Sequence, residues 1–303
     1  MSRTIRLGAV AYLNARPLVY GLGTGTGHQA LGTGQQAPGT GHQALGTGQP
    51  QAPSLEPQAS SPKPQASEIT VRFDVPSICA DLLAKGEIDL GLIPTITYLD
   101  RPGDCVVPDI SIASDGPVAS VALFTKRPAR EIRTLALDTS SRTSAALTRI
   151  LCARQFEVAP SFAPHGPDLS AMLARYDAAL LIGDPALFAD HRALGVDKID
   201  LGAAWRDLTG LPFVWAFWAG PSGAADAGVV RRLQAARDAG VAASDEIADA
   251  YCAGDSTRQA MARRYLRENM KYGLSGRALD GLRTYYREAA ALGLVEYRDI
   301  QFF

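Results

Sequence analysis

The sequence predicts an α/β fold with mainly parallel sheets. Short apolar runs typical of buried strands alternate with segments that have helical periodicity. Polar clusters follow several of these apolar runs directly, at the points where strands are expected to end. From Ala224 onward the pattern is almost wholly helical, with breaks near Gly240, Gly254 and Gly273. We expect this tail to pack on sheets that the earlier segments build.

The individual elements follow from the same patterns. Runs of four to eight residues rich in Val, Ile, Leu, Phe and Ala predict strands at 5–11, 69–73, 88–93, 118–124, 134–137, 178–182 and 213–218. Amphipathic segments between them predict helices at about 77–85, 143–155, 168–175 and 184–190.

Composition indicates a globular protein and excludes several classes of partner. The chain has 303 residues, 47% of them hydrophobic, and a formal net charge of -1, which is enough for two modest domains. Nucleic acids and anionic membranes require a basic patch, so neither is expected as a partner. The four cysteines are far apart without a CxxC pair, which favours scattered buried thiols over a metal site or disulfides.

The N-terminal apolar run is too short for a signal peptide core or a membrane span. We therefore expect a cytoplasmic location and no membrane association.

An insertion interrupts the fold pattern at about 21–67. The unit GTGHQALGTG occurs at 25–34 and again at 39–48, and a Pro/Gln/Ala/Ser-rich stretch follows it. With almost no large apolar residues, such a segment cannot offset the entropy lost on ordering, so we expect a disordered surface loop.

A hydroxyl-rich turn is the strongest candidate for a binding site. It lies between the strand predicted at 134–137 and the next helix, and it consists of Thr139, Ser140, Ser141, Arg142, Thr143 and Ser144. A strand-to-helix turn presents free N–H groups and the positive end of the helix dipole, which bind anions. An ordinary serine N-cap would explain only one or two of these residues. A small carboxylate or phosphate ligand is therefore expected here.

Other polar residues fall at strand ends, which line the binding crevice in open α/β folds. Each also has a purely structural explanation, as a helix cap or a turn. These candidates are Asn14, Ser77, Asp115, Ser120 and Asp184.

No standard catalytic or nucleotide-binding motif is present. GxSxG, HExxH, a Walker A loop and GxGxxG in a βαβ context are all absent. Histidines are few, so a general base is expected at Asp115, at Asp184 or on the ligand itself.

Taken in order, six segments resemble the chorismate dehydratase family of the futalosine route to menaquinone. They are YLNARP, FDVPS…LLAKGEIDLGLIP, PDISIASDGPVASVALF, LALDTSSRTSAAL, DAALLIGDPAL and DLGAAWRDLTGLPFVWAFW. The resemblance spans the chain except for the insertion. It implies a fold like that of the two-lobed type 2 periplasmic binding proteins, with a ligand cleft between the lobes. One lobe would comprise 1–113 plus 215–303, and the other 114–214.

The resemblance also implies a reaction and its site. Water is removed from chorismate, a small dicarboxylate, to give 3-[(1-carboxyvinyl)oxy]benzoate, and no metal or organic cofactor is required. Asn14 would contact the reacting ring and orient or polarise its hydroxyl, and the proton acceptor would be a substrate carboxylate or Asp115. The remaining candidates would bind substrate: Ser77, Ser120, Ser140, Ser141, Arg142, Thr143, Ser144 and Asp184.

Two alternatives stay open at this point. The sister enzyme 1,4-dihydroxy-6-naphthoate synthase shares the fold, although SSRTS and TGLPFVWAFW favour the dehydratase. A non-catalytic small-carboxylate-binding protein is the other, because a fold does not fix a function. The oligomeric state is not predicted.

Overall fold

The computed structural model describes residues 4–23, 68–274 and 276–303. Residues 24–67, which make up nearly all of the insertion predicted at about 21–67, lie outside these ranges. The described residues contain eleven strands: β1 (Ile5–Val10), β2 (Ile69–Asp74), β3 (Leu90–Pro94), β4 (Asp104–Val106), β5 (Ile112–Ser114), β6 (Val121–Thr125), β7 (Thr134–Asp138), β8 (Ser161–His165), β9 (Ala178–Ile182), β10 (Asp197–Asp200) and β11 (Phe213–Pro221).

The same ranges contain nine α-helices: α1 (Pro76–Ala84), α2 (Arg142–Leu151), α3 (Leu169–Arg175), α4 (Gly183–Leu187), α5 (Leu201–Thr209), α6 (Ala227–Ala242), α7 (Ser244–Tyr251), α8 (Ser256–Arg264) and α9 (Arg277–Ala291). Short 3-10 helices occur at Leu13–Val19, Thr95–Asp100 and Ala129–Glu131. π-Helical turns at Cys152–Phe156 and Tyr265–Asn269 continue α2 and α8.

The strands form two mixed sheets. The first has the order β2-β1-β3-β11-β4, with β5 also paired to β11, and the second has the order β10-β6-β9-β7-β8. Four pairs are parallel, namely β1 with β2 and β3, and β7 with β8 and β9; the other five pairs described are antiparallel. The prediction of mainly parallel sheets is therefore only half right. Strands β6 and β11 each follow a segment that passes from one sheet to the other. They pair antiparallel with their neighbours, and antiparallel pairing needs no helical crossover of the βαβ kind.

The chain passes from one sheet to the other twice, between β5 and β6 and again between β10 and β11. The first sheet thus takes strands from both ends of the chain, and the second takes the middle. The lobe bounds 1–113 plus 215–303 and 114–214 stay a prediction, and β11 already begins at Phe213 in the first sheet.

The helical tail packs on the first sheet and on the 3-10 helix Leu13–Val19. Helix α6 continues past the break predicted near Gly240 and ends at Ala242. A Cβ atom at Gly240 would lie 2.1 Å from the carbonyl oxygen of Pro17, so this glycine lets the two helices approach closely. In the described part of the chain, no helix combines the length and the apolarity needed to cross a bilayer.

Candidate active site

A narrow cavity lies between the two sheets. Its walls come from the end of β1, the start of α1, the end of β3, the segment before β6, the first turn of α2 and the junction of β9 and α4. Its volume is about 40 Å³, which corresponds to about three water molecules. The polar side chains that line it are Tyr12, Asn14, Ser120, Ser141, Ser144 and Trp215.

The N-terminus of α2 supplies one polar wall. Ser141 is the N-cap, and its Oγ accepts a hydrogen bond from the backbone N–H of Ser144 at 3.3 Å. The two hydroxyl oxygens are 3.1 Å apart, and both side chains are almost fully buried. Hydroxyl donors together with the positive end of a helix dipole suit a carboxylate, and the anion site expected at this turn stays a prediction.

The other hydroxyls of this turn are used within the protein. Ser140 donates its hydroxyl and its backbone N–H to the Asp138 carboxylate, which also accepts from the backbone N–H of Ile182. Thr139 donates its hydroxyl to the carbonyl of His165. Burial raises the pKa of Asp138 above its usual range, although these hydrogen bonds oppose that shift. Ser140 therefore shapes the turn and does not line the cavity.

Thr143 and Arg142 connect α2 to segments that flank the first sheet. Thr143 is fully buried, and its Oγ1 accepts from the backbone N–H of Ile96 at 3.2 Å. Arg142 is exposed and forms an ion pair with Asp81 at 2.6 Å. Neither side chain lines the cavity.

Asn14 supplies another part of the lining, from the 3-10 helix that follows β1. Its Oδ1 atom is buried and has no hydrogen-bond partner within the protein. Because an unpaired buried carbonyl is costly, this atom is positioned for a ligand that donates a hydrogen bond.

Asp184 holds the start of the same 3-10 helix from the other sheet. Its Oδ1 accepts from the backbone N–H of Leu13 at 3.1 Å, and its Oδ2 accepts from the Tyr251 hydroxyl. Burial raises the pKa of Asp184, while these hydrogen bonds and the charge of Arg16 oppose the shift. The structure thus places Asp184 behind Asn14 and not in the cavity lining.

Ser120 reaches the cavity from the segment that enters β6. Its Oγ is 2.7 Å from the hydroxyl oxygen of Tyr265, which is fully buried. Asp200 accepts hydrogen bonds from the backbone N–H groups of Val118 and Ala119, and Ala119 has a φ of +61°. This bend directs Ser120 inward.

The remaining two candidates lie outside the lining. Ser77 donates its backbone N–H to the carbonyl of Ser140 at 3.0 Å, and its neighbour Pro76 reaches the cavity instead. Asp115 is exposed and forms an ion pair with Arg206.

Sequence reasoning did not select two tyrosines of this site. Tyr12 packs on Gly183, which has a φ of +66° and at which a Cβ atom would lie 2.6 Å from the ring. Burial raises the pKa of Tyr12 to about 12, so it is protonated at neutral pH. Tyr12 belongs to the YLN segment and could have been selected with Asn14. Tyr265 lies in the helical tail, where no local pattern indicates a site.

No cluster of three His, Cys, Asp or Glu side chains that could hold a metal ion occurs within residues 4–23, 68–274 and 276–303. The lining of the cavity likewise contains no carboxylate, imidazole, amine or thiol. What it offers is hydroxyl groups and one amide, which can orient a polar ligand and stabilise its charge, and the indole ring of Trp215, whose N–H donates to the Ser114 hydroxyl.

Comparison with known proteins gives a family and a related enzyme. A family model described as menaquinone biosynthesis matches residues 5–291. A chorismate dehydratase of Thermus thermophilus is 32% identical over 240 residues, which cover 73% of this chain and 85% of that protein.

Solved structures with the same fold are more distant in sequence. A crystal structure of a protein from Archaeoglobus fulgidus has a TM-score of 0.65 at 15% identity and covers 96% of this chain and 98% of that one. The periplasmic aliphatic sulphonate binding protein of Escherichia coli has a TM-score of 0.55 at 15% identity and covers 78% and 84%. A Candida albicans protein with the generic periplasmic binding protein fold has a TM-score of 0.53 at 14% identity and covers 76% and 83%. The two-lobed, periplasmic-binding-protein-like α/β fold expected from the sequence is confirmed.

Proposed function

The chain belongs to the menaquinone biosynthesis family, and from this premise we propose that it is a chorismate dehydratase. The 32% identity to the Thermus thermophilus enzyme supports this function. The observation that supports it in the structure is the cavity itself, whose lining combines the α2 N-terminus, with Ser141 and Ser144, and Asn14, whose buried Oδ1 is unpaired. The helix N-terminus suits a carboxylate and the amide oxygen suits a hydroxyl, and chorismate has both groups.

The reaction is the loss of one ring proton and the ring hydroxyl of chorismate, which leave together as water. The product, 3-[(1-carboxyvinyl)oxy]benzoate, has an aromatic ring, and aromatisation supplies the driving force. The protein therefore needs mainly to orient the substrate, stabilise charge and exclude water. As a hydro-lyase of this kind it would use no cofactor, and the activity would be located in the cytoplasm.

We assign the proton transfer to a carboxylate of the substrate. A general base must lie within hydrogen-bond reach of the proton that it removes. None of the cavity-lining side chains is a carboxylate or an imidazole, and Tyr12 is protonated at neutral pH. Asp115, the protein-side candidate, is paired with Arg206 at the surface.

The test is to incubate the purified protein with chorismate and to follow the aromatic product by chromatography and mass spectrometry, with a protein-free control. We expect turnover by the wild type. Asp115→Asn should retain it, since that change removes only an exposed ion pair, worth about 0–1 kcal/mol.

Three results would contradict parts of the proposal. Binding of chorismate without product formation would indicate a carboxylate-binding protein. Turnover of the sister enzyme's substrate to 1,4-dihydroxy-6-naphthoate, with none of chorismate, would indicate that enzyme. Loss of turnover in Asp115→Asn with an intact fold would move the base from the substrate to the protein.

A further inference from the structure

We propose that Tyr265 is a positioning residue that sets the hydrogen-bonding polarity of the cavity, so that Asn14 presents its carbonyl oxygen and Ser120 presents its hydroxyl proton to the ligand. This inference rests on the proposed function for its choice of substrate. Tyr265 itself does not line the cavity.

The Tyr265 hydroxyl lies directly behind both lining groups. Its oxygen is 2.7 Å from the Ser120 Oγ, and both residues are almost completely buried. Tyr265 begins the π-helical turn that continues α8, and such turns are frequent at functional sites. It therefore connects the helical tail to the segment that enters β6.

The Asn14 side chain also interacts with the Tyr265 hydroxyl, and this interaction lowers the pKa of the tyrosine against the larger, opposite effect of burial. An interaction that lowers the pKa of a phenol stabilises the phenolate and therefore comes from a donor, and since Oδ1 of Asn14 has no partner, we assign this donor to Nδ2. The amide is thereby held with its carbonyl oxygen free to accept from a ligand.

The donation from Asn14 to Tyr265 also fixes the direction of the hydrogen bond between Tyr265 and Ser120. A tyrosine hydroxyl has one proton, which is then left to be donated to the Ser120 Oγ. Ser120 in turn has its own proton available for the cavity. Burial raises the pKa of Tyr265 well above its usual range, so the hydroxyl stays protonated at neutral pH and the direction of the chain is kept.

The polarity that results matches chorismate. An acceptor at Asn14 suits the ring hydroxyl, which donates, and a donor at Ser120 suits an oxygen of the substrate that accepts. A ligand without the ring hydroxyl would leave the Asn14 carbonyl unpaired, which sites of this kind reject strongly. Tyr265 would thus control selection of the group that leaves in the reaction.

A purely structural role is the alternative, and Tyr272 provides the matched control. Tyr272 is also buried, and its hydroxyl has no hydrogen-bond partner in the structure. Removal of that hydroxyl tests the loss of a buried oxygen without the loss of a bond to the site.

The experiment compares Tyr265→Phe with Tyr272→Phe. The readouts are kcat and KM for chorismate, the inhibition constant of the analogue that lacks the ring hydroxyl, and the melting temperature. In Tyr265→Phe we expect kcat to fall about tenfold or more, with a smaller change in KM. The ratio of the analogue's inhibition constant to the KM of chorismate should fall by at least about tenfold. Tyr272→Phe should leave all of these values at the wild-type level.

Ser120→Ala provides an independent test if Tyr265→Phe does not fold. Without an acceptor at position 120, the Tyr265 hydroxyl can donate to Asn14 instead and reverse the amide. The ratio of the analogue's inhibition constant to the KM of chorismate should therefore fall in Ser120→Ala as well. If Tyr265→Phe folds, the double variant should lose little more than either single variant.

The outcomes separate this inference from the proposed function. A wild type that does not turn over chorismate overturns the function, and the inference with it. An active wild type together with a folded Tyr265→Phe that keeps its kcat and its discrimination overturns the inference alone. Equal losses in Tyr265→Phe and Tyr272→Phe, or unchanged discrimination in Ser120→Ala, would do the same.

Discussion

Under the proposed function, Asn14 and Ser144 would contact the substrate with different chemistry, so we expect their variants to fail in different ways. Asn14→Asp keeps the shape of the side chain but adds a charge and removes the amide donor, and it should lower kcat far more than it weakens binding. Ser144→Ala removes one hydrogen bond to a charged group, worth about 1.5–3 kcal/mol, and should chiefly raise KM by about tenfold to a hundredfold.

Steady-state kinetics on chorismate, with a melting curve for each variant, check both expectations. Full turnover by a folded Asn14→Asp protein would reduce Asn14 to a structural residue at the start of its 3-10 helix. A fall in kcat for Ser144→Ala without a change in KM would place Ser144 at the reacting centre.

Asp184 should make stability depend on pH. Because burial raises its pKa above the ordinary value of 3.8, stability is present in full at lower pH. The stability falls as the pH rises from the ordinary pKa of an aspartate to the higher pKa of Asp184 in the folded protein, since over this range the carboxyl ionises in the unfolded chain first. Asp184→Asn abolishes this ionisation and keeps the bonds: its Oδ1 accepts from Leu13, and its Nδ2 donates to Tyr251, which can donate to the carbonyl of Ala11.

Urea unfolding at several pH values between 3.5 and 7 measures this effect. As the pH rises, the free energy of unfolding of the wild type should fall relative to that of Asp184→Asn. The difference should change by about 1.4 kcal/mol for each unit by which folding raises the pKa of Asp184. Asp138→Asn is the contrasting variant, because both Asp138 oxygens accept backbone N–H groups, from Ser140 and Ile182. It should be destabilised by about 1–3 kcal/mol. A constant difference between wild type and Asp184→Asn would contradict the prediction.

The positions of some site residues followed from the sequence, and those of others did not. The rule that strand ends line a crevice selected Asn14 and Ser120, and the anion-binding turn selected Ser141 and Ser144; these four residues line the cavity together. The same turn contains Thr143, whose side chain points elsewhere because successive helical residues are turned by about 100° from one another. Tyr265 reaches the site through tertiary packing of a distant helix, which no local pattern encodes.

Among the elements, the first turn of α2 joins the two sheets through Thr143. Thr143→Val keeps the shape but leaves the buried N–H of Ile96 without its acceptor, at a cost of about 1–3 kcal/mol. We expect the free energy of unfolding of the ligand-free protein to fall by that amount in urea titrations. Thr143→Ser, which keeps the hydroxyl, is the matched control and should lose about 1 kcal/mol for its methyl group.

This variant also tests whether Thr143 binds the substrate, as the resemblance implied. Unchanged stability of Thr143→Val together with weaker binding of chorismate would assign Thr143 to the ligand. Loss of stability in Thr143→Val beyond that of Thr143→Ser would assign it to the contact between α2 and the 3-10 helix Thr95–Asp100.

The elements that apolar patterns predict well are those with several buried residues in a row. Strands β7 and β9 begin where the pattern begins, at Thr134 and Ala178, because their side chains are buried on both faces. Strands β4, β5, β8 and β10 were not predicted, since they have only three to five residues and two of them, β8 and β10, are partly exposed edge strands. Their pairing depends on neighbours that a local pattern does not include.

For the whole molecule, the size of the cavity implies motion. About 40 Å³ is too little for chorismate, so we expect the lobes to separate before the ligand enters and to close again around it. Contacts between the two predicted lobes, such as those of Asp184 with Leu13 and of Thr143 with Ile96, would have to break on opening. Small-angle scattering should show a more compact protein with a saturating, unreactive chorismate analogue than without it. Identical profiles would contradict closure on binding.

The segment from residue 24 to residue 67 should be dispensable for both fold and turnover. A Cβ atom at Gly23 would lie only 2.5 Å from the carbonyl oxygen of Ile69, so the two ends of the segment are adjacent. Replacing it with about four Gly and Ser residues should therefore not move the 3-10 helix that carries Asn14. The shorter connection should raise the free energy of unfolding by at most about 2 kcal/mol.

Urea unfolding and steady-state kinetics of the shortened protein, beside the full chain, check this prediction. We expect kcat and KM for chorismate within about twofold of the wild-type values, because the ends of the removed segment are adjacent and a short linker leaves the lining residues in place. The replacement should start at residue 24, since Leu22 is buried in the core and β2 begins at Ile69. A shortened protein that unfolds without cooperativity or loses turnover would show that these residues stabilise the site, in contradiction to their composition.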